Sequence, residues 1–338
     1  MAEFARRFLR YPDLFPSRIG GEAWGAGRLR LDFAGGPQVI EGLADWQIEV
    51  IEAAWGPLAG PAGESEPARF RLLRAAQRDF RQIDLCAWPN SFDFDHQPER
   101  VRFAGRHALA VLELPGGRLE RGALWSAAGD GAEFAGVFEN FFRVALAYRL
   151  LDLGGVLLHS AAVVDGGRAY VFVGRSGAGK STLSRLSLDG GREVLSDDLN
   201  AVALESSGQD GDRFIVERLP FAGDLRRPVS ARRRVPLGGL LSLEQAPPGA
   251  AHDVEEVSRA RGVASLLAAA PFVNADPLRA ERLERVLLEI CGGGPGDGSV
   301  ALARLRFHRR DDRFWDELRR FFASRHRSGP VAGADPSA

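Results

Sequence analysis

Lysine is almost missing from this chain: of 44 basic side chains in 338 residues, Lys180 alone is not an arginine. Cysteine is nearly as scarce. Cys86 and Cys291 stand far apart and outside any CxxC spacing, which excludes a disulfide framework or a cysteine metal cluster and leaves two reduced thiols as the expectation. No apolar run reaches the roughly 20 residues of a membrane span. The opening stretch, MAEFARRFLRYPDLF, carries charges where a secretory leader would place its apolar region. Neither sign of charge dominates, with 44 basic against 45 acidic residues, so nothing in the overall balance favours nucleic acid or a membrane surface as partner. An LSGGQ-like signature, expected of a transport ATPase subunit, is also missing. The expectation is a soluble, cytoplasmic protein with no nucleic-acid and no membrane partner.

What is present is organised in two halves. Residues 1–130 hold short β-like runs such as Leu29 to Phe33, Arg69 to Leu73 and Ala108 to Leu114, and predict a β-rich N-terminal domain whose role the sequence does not reveal. Gly56 to Ala68, rich in Gly, Pro and Ala, predicts a long loop. Residues 131–326 predict a second domain, and 327–338 a disordered tail. The apolar density of Phe134 to Leu153 predicts a buried helix. From Gly155, VLLHSAAVV, a DGG turn and RAYVFVG predict a β-hairpin. EVLSDD, LNAVALE, RFIVERL, GGLLSLEQ and VALARLRFH read as further strands. Helices are expected over Val254 to Ala269, over Pro277 to Ile290 with Asp276 as N-cap, and over about Asp312 to Ser324.

The solitary lysine lies in GRSGAGKST, residues Gly174, Arg175, Ser176, Gly177, Ala178, Gly179, Lys180, Ser181 and Thr182. This is a complete match to G-x-x-x-x-G-K-[ST], the loop whose backbone amides cradle phosphates. A P-loop must leave a strand and enter a helix. The apolar run Ala169 to Val173 before it and Leu183, Leu186 and Leu188 after it supply that context. Lysine suits the site because it is a compact point charge, whereas an arginine fork is wide and planar. In this reading Lys180 reaches the outer phosphates of ATP, and the Ser181 hydroxyl takes Mg²⁺.

SDDLN places Asp197 and Asp198 at the end of an apolar run some 17 residues after the loop. An acid there often holds Mg²⁺, and a second could take a proton from an attacking hydroxyl. His159 lies on the strand ahead of the P-loop strand. A half-buried, structurally satisfied imidazole and a catalytic one are both open on sequence. The run DLRRPVSARRRVP offers Arg226, Arg227, Arg232, Arg233 and Arg234. Such runs are usually solvated faces. An arginine on the transferred phosphoryl group is the sharper alternative, with Arg226 or Arg227 the candidates.

The order HSAAVV, GRSGAGKST, LSDD and PFAGD resembles the HPr kinase/phosphorylase superfamily, whose P-loop fold is related to phosphoenolpyruvate carboxykinase; the similarity spans roughly Leu153 to Phe322. The resemblance implies an α/β P-loop kinase domain over 131–326, next to the smaller β-rich domain. It implies catalytic roles for Asp198 as base, Lys180 and His159, and metal association for Ser181 and Asp197. Arg226 is assigned a catalytic role beside them. Two departures stand out: Thr182 replaces the family's Glu after the P-loop serine, and the family's LEIRGLGI-like segment is missing, with Glu217 in roughly its place. They point away from HPr as acceptor and towards the divergent HPr kinase-related proteins, some of which phosphorylate peptides. The expected function is ATP-dependent transfer of the γ-phosphoryl group to a hydroxyl, a serine of a protein or peptide, with Mg²⁺ as cofactor. A nucleotide-binding regulator or an ATPase without an acceptor is the alternative, and self-association into a homo-oligomer is left open.

Overall fold

Alternation of buried and exposed residues marks one strand of the first sheet, whereas strands such as ALAVLE are buried almost throughout. In ARFRLLR, Ala68, Phe70 and Leu72 face inward while Arg69 and Arg71 face water, the period-two pattern of a half-buried strand. The computed structural model describes residues 21–56, 68–75, 92–105, 108–205, 213–221, 223–225, 233–247, 249–292 and 300–327. They form two units, the first up to Leu157 with 219–221 and 271–283, the second holding the remainder.

In the first unit, β1 (Gly27–Phe33), β2 (Gly36–Leu43), β3 (Ala68–Arg74), β4 (Asp93–Gln97), β5 (Arg100–Gly105), β6 (Ala108–Glu113) and β7 (Arg121–Ser126) form one sheet in the order β1-β2-β3-β7-β6-β5-β4. The pairs β2–β3 and β3–β7 are parallel. Two helices belong to this unit, α1 (Asp45–Trp55) and α2 (Gly131–Asp152). The second matches the expected buried helix: Asp130 caps it by accepting from the Glu133 amide at 2.8 Å. Phe134, Phe138, Phe141 and Phe142 of α2 are all buried. Phe141 meets Phe70 of β3 edge-on, with ring centroids 5.5 Å apart.

The second unit is the one that carries the phosphate-loop motif. Its sheet contains β8 (Val156–Asp165), β9 (Arg168–Val173), β10 (Glu193–Ser196), β11 (Leu199–Glu205), β12 (Arg213–Arg218), β13 (Arg234–Gln245), β14 (Asp253–Glu256) and β15 (Ala301–Phe307). The expected hairpin is β8–β9, turned at Gly166 and Gly167, and its strands pair from Ser160 with Val173 to Asp165 with Arg168. Three strands run parallel side by side: β9 with β13, and β13 with β15. Helices α3 (Lys180–Asp189), α4 (Arg259–Ala269) and α6 (Phe314–Arg327) flank this sheet sequence, and α5 (Ala280–Gly292) falls between α4 and β15. Leu183 of α3 and Phe314, Trp315 and Leu318 of α6 share one core with Phe172, Leu241, Leu305 and Phe307 of the sheet. Burial of each such side chain contributes about 1.5–3 kcal/mol. The Trp315 indole donates to the Ser187 hydroxyl at 2.9 Å, so the one polar atom of that ring is satisfied.

Two expected helices begin later than the sequence suggests. Val254 to Glu256, expected as the start of a helix, belong instead to the strand β14 on the edge of β15, and α4 starts only after Ser258, whose hydroxyl accepts from the Arg261 amide at 3.3 Å. Asp276 does not cap a helix beginning at Pro277. Its buried side chain accepts from the Leu278 amide at 2.9 Å, capping the turn that precedes the helix, and also from the Tyr148 hydroxyl at 3.0 Å and Arg279 at 3.2 Å; α5 begins at Ala280 and includes Gly292. Cys291 is buried and unbridged, and burial pushes its thiol up to about 11. Cys86, the loop interior between Gly56 and Ala68, the tail from 328, and Arg226, Arg227 and Arg232 lie outside the described residues. No described helix is long and apolar enough to cross a membrane.

Candidate active site

The P-loop motif sits where its chemistry needs it, between the end of β9 and the first turn of α3. The carboxyl ends of the three parallel strands converge there, the usual place for a ligand in an open α/β sheet. From β13, the Gln245 side chain donates to the Gly177 carbonyl at 2.7 Å. From beyond β15, the Arg309 guanidinium donates to the same carbonyl. Gly179 is the helix N-cap, with φ of 109°, and a side chain there would meet the Phe307 ring at 2.9 Å. Glycine is therefore dictated twice, by backbone conformation and by packing. The first-turn amides of α3 carry no side-chain cap, and a helix N-terminus of this kind attracts anions.

Lys180 is buried, and its ammonium donates to the Gly174 carbonyl at 2.9 Å, folding back over the loop. Burial holds its pKa below the ordinary lysine value, and the nearby carboxylates of Asp198 and Asp197 oppose that shift. The lysine and both aspartates, which the sequence places on different elements, thus share one electrostatic neighbourhood.

Asp197 and Asp198 leave β10 in different directions. Asp197 is 5% exposed, and one of its oxygens, Oδ2, is buried with no hydrogen-bond partner among the described residues. Burial pushes its carboxyl above the usual range; the polar groups of Ser181 and the Leu225 backbone work against that shift, and the Asp224 carboxylate adds to it. Asp198 turns to His159 of β8, with His159 Nδ1 3.1 Å from Asp198 Oδ1. The Asp198 carbonyl accepts from the Ser160 amide at 2.9 Å, and the Asn200 side chain donates to the Ser160 carbonyl, also at 2.9 Å. These bonds fix the backbone on both sides of the His159–Asp198 contact.

One residue was not singled out by sequence. The Ser181 hydroxyl donates to Asp224 Oδ2 at 3.0 Å, so Ser181 stands between Asp197 and Asp224. Only the PFAGD segment hinted at it, and nothing in a spacing of 43 residues points an aspartate at a serine. Gly223, just before it, must stay small: a Cβ there would lie 2.1 Å from Asp197 Oδ1. Ser181, Asp197 and Asp224 form an all-oxygen set containing an unpartnered buried carboxylate oxygen, which fits a hard cation such as Mg²⁺.

The basic segment is partly accounted for. Arg233 and Arg234 both donate to Glu217, each at 3.1 Å and to a different oxygen, and Glu217 is only 1% exposed. Their described role is structural, and it occupies the glutamate placed roughly at the family's missing segment.

No family model and no curated protein matches the chain. Among solved structures, the chain is similar to the Hpr(Ser) kinase/phosphatase from Coxiella burnetii at 11% identity, over 51% of this chain and 95% of the other, with a TM-score of 0.24. A likeness of that size identifies neither a fold family nor an activity.

Proposed function

We propose that the second unit is an ATP-dependent kinase domain that transfers the γ-phosphoryl group to a hydroxyl, a serine of a protein or peptide. The observation that carries this reading is the meeting of the P-loop lysine with two aspartates in unlike environments: Asp197 buried beside Ser181, and Asp198 on the half-exposed His159. A loop that only binds nucleotide requires the first of these. The second is a carboxylate set apart from the metal ligands, and it suits proton acceptance.

In this mechanism the loop amides and the N-terminus of α3 hold the phosphate chain, with Lys180 on its outer part. Ser181 and Asp197, with Asp224 alongside, would hold Mg²⁺, and the ion would supply neutralisation of the phosphate charge. Asp198 accepts the proton of the attacking hydroxyl, and His159 fixes the orientation of that carboxylate. Because the transition state is loose, positioning and charge stabilisation supply most of the acceleration. Incubation with γ-labelled ATP, Mg²⁺ and serine-containing peptides or proteins tests the reading. Label on a hydroxyl acceptor supports it. Release of label as inorganic phosphate alone identifies an ATPase, and binding without turnover identifies a regulator.

A further inference from the structure

Away from the P-loop lysine and its aspartates, three metal-ligating side chains meet. His252 comes from the segment before β14, His308 from the residue after β15, and Asp311 from the turn before α6. One ligand atom from each lies within 4.8 Å of the other two. His252 Nε2 is 3.1 Å from Asp311 Oδ1, and the two imidazole rings are 3.9 Å apart at 32°. A hydrogen bond between His252 and Asp311 explains that pair but not the second imidazole against it. The Nδ1 atoms of both His252 and His308 are buried with no hydrogen-bond partner among the described residues. The tilted His308 ring thus stands against the His252–Asp311 pair with a buried Nδ1 that has no partner, and an unpartnered buried polar atom is costly unless something takes up its lone pair.

The geometry points to a divalent transition-metal site of the zinc type formed by His252, His308 and Asp311. Two imidazoles and one carboxylate are a borderline donor set that favours Zn²⁺ and its first-row neighbours, whereas Mg²⁺ and Ca²⁺ favour oxygen alone. Tetrahedral ligands at about 2.1 Å from zinc stand roughly 3.4 Å from one another. His252 Nε2 and Asp311 Oδ1, 3.1 Å apart, stand close to that spacing, and a ligand atom of His308 lies within 4.8 Å of both. The Asp311 side chain is 38% exposed, so a fourth position opens towards water. Such an ion ties the segment before β14 to the connection between β15 and α6. It also pins the turn that carries Arg309, the residue that grips the Gly177 carbonyl of the P-loop.

The test is titration of the full metal-stripped chain with ZnCl₂, followed by calorimetry, and with CoCl₂, followed by visible absorption. The expected result is one equivalent bound, intense Co²⁺ bands of four-coordinate geometry, and no displacement by excess Mg²⁺. His308→Asn and Asp311→Asn should each weaken Zn²⁺ binding by at least about a hundredfold. Asp311→Asn alters a partly exposed side chain and keeps the test decisive if the histidine variant does not fold. Asp198→Asn, which changes the other carboxylate–imidazole pair, should leave Zn²⁺ affinity unaltered. Absence of stoichiometric binding, equal affinity in the Asp311 variant, or loss of binding in Asp198→Asn would overturn the assignment.

Discussion

His159 Nδ1 lies 3.1 Å from Asp198 Oδ1, although His159 stands on β8 and Asp198 in the bend between β10 and β11, on either side of the P-loop in sequence. The contact assigns His159 a positioning role for the carboxylate that takes the proton in the proposed reaction. His159→Ala should lower kcat by about ten- to a hundredfold while KM for ATP changes little. His159→Asn keeps a donor near the position of Nδ1 and should recover part of the loss. Equal activity in the alanine variant, or a defect confined to ATP binding, would remove the role.

The ammonium of Lys180 is buried and folds back 2.9 Å from the Gly174 carbonyl, a setting that suits a compact point charge better than a wide planar guanidinium. In a chain that otherwise uses arginine throughout, the lysine answers a steric demand. Lys180→Arg should therefore be nearly as damaging as Lys180→Ala, both in nucleotide affinity and in turnover. Near-normal turnover of Lys180→Arg, measured with labelled ATP, would show that any cation serves.

Arg233 and Arg234 hold a glutamate that is almost fully buried, and Arg234 is the cross-strand neighbour of Glu217. Removing either arginine leaves part of that charge uncompensated, so Arg233→Ala and Arg234→Ala should each cost about 1–3 kcal/mol of stability. Turnover per folded molecule should stay within about twofold of the parent. Denaturant midpoints and kcat for both variants check this. A large fall in kcat at unchanged stability would return the pair to the reaction.

The sequence was most legible where local rules coincide. The P-loop needs glycines at fixed places, a strand before and a helix after, and all of this is written within about 20 neighbouring residues. The β8–β9 hairpin was equally plain, because Asp165-Gly166 signals a turn between two apolar runs. Misplaced boundaries came from distant partners. Asp276 reads as an N-cap before Pro277, and one of its oxygens does accept from the Leu278 amide, but the other is shared with Tyr148, 128 residues away, and the helix starts only at Ala280. The segment Asp253–Glu256 has helix-compatible residues, but its backbone is taken up by the edge of β15. Asp224 beside Ser181, and His252 beside His308 and Asp311, arise from chain crossings that no spacing rule encodes.

The two adjacent aspartates should behave differently in opposite kinds of measurement. Asp197 is buried with one orphaned oxygen, and burial raises its carboxyl above the ordinary value it has in the unfolded chain. A raised acid binds its proton more tightly when folded, so stability is greatest below the ordinary value and falls as pH rises through the raised one. Asp197→Asn removes that penalty: without Mg²⁺ the variant should be more stable than the parent at neutral pH, and its melting temperature should depend less on pH. The same change should weaken Mg²⁺, giving an activity defect that shrinks as Mg²⁺ is raised. Asp198→Asn should show no such stability gain; it should bind Mg²⁺ and ATP and lose transfer by about a hundredfold or more, because it removes the proton acceptor and keeps the shape. Melting curves across pH with and without Mg²⁺, beside transfer assays on both variants, separate the roles. Full transfer activity in both variants would sink the kinase mechanism, whereas an exchange of the two phenotypes would reverse the assignment of base and metal ligand.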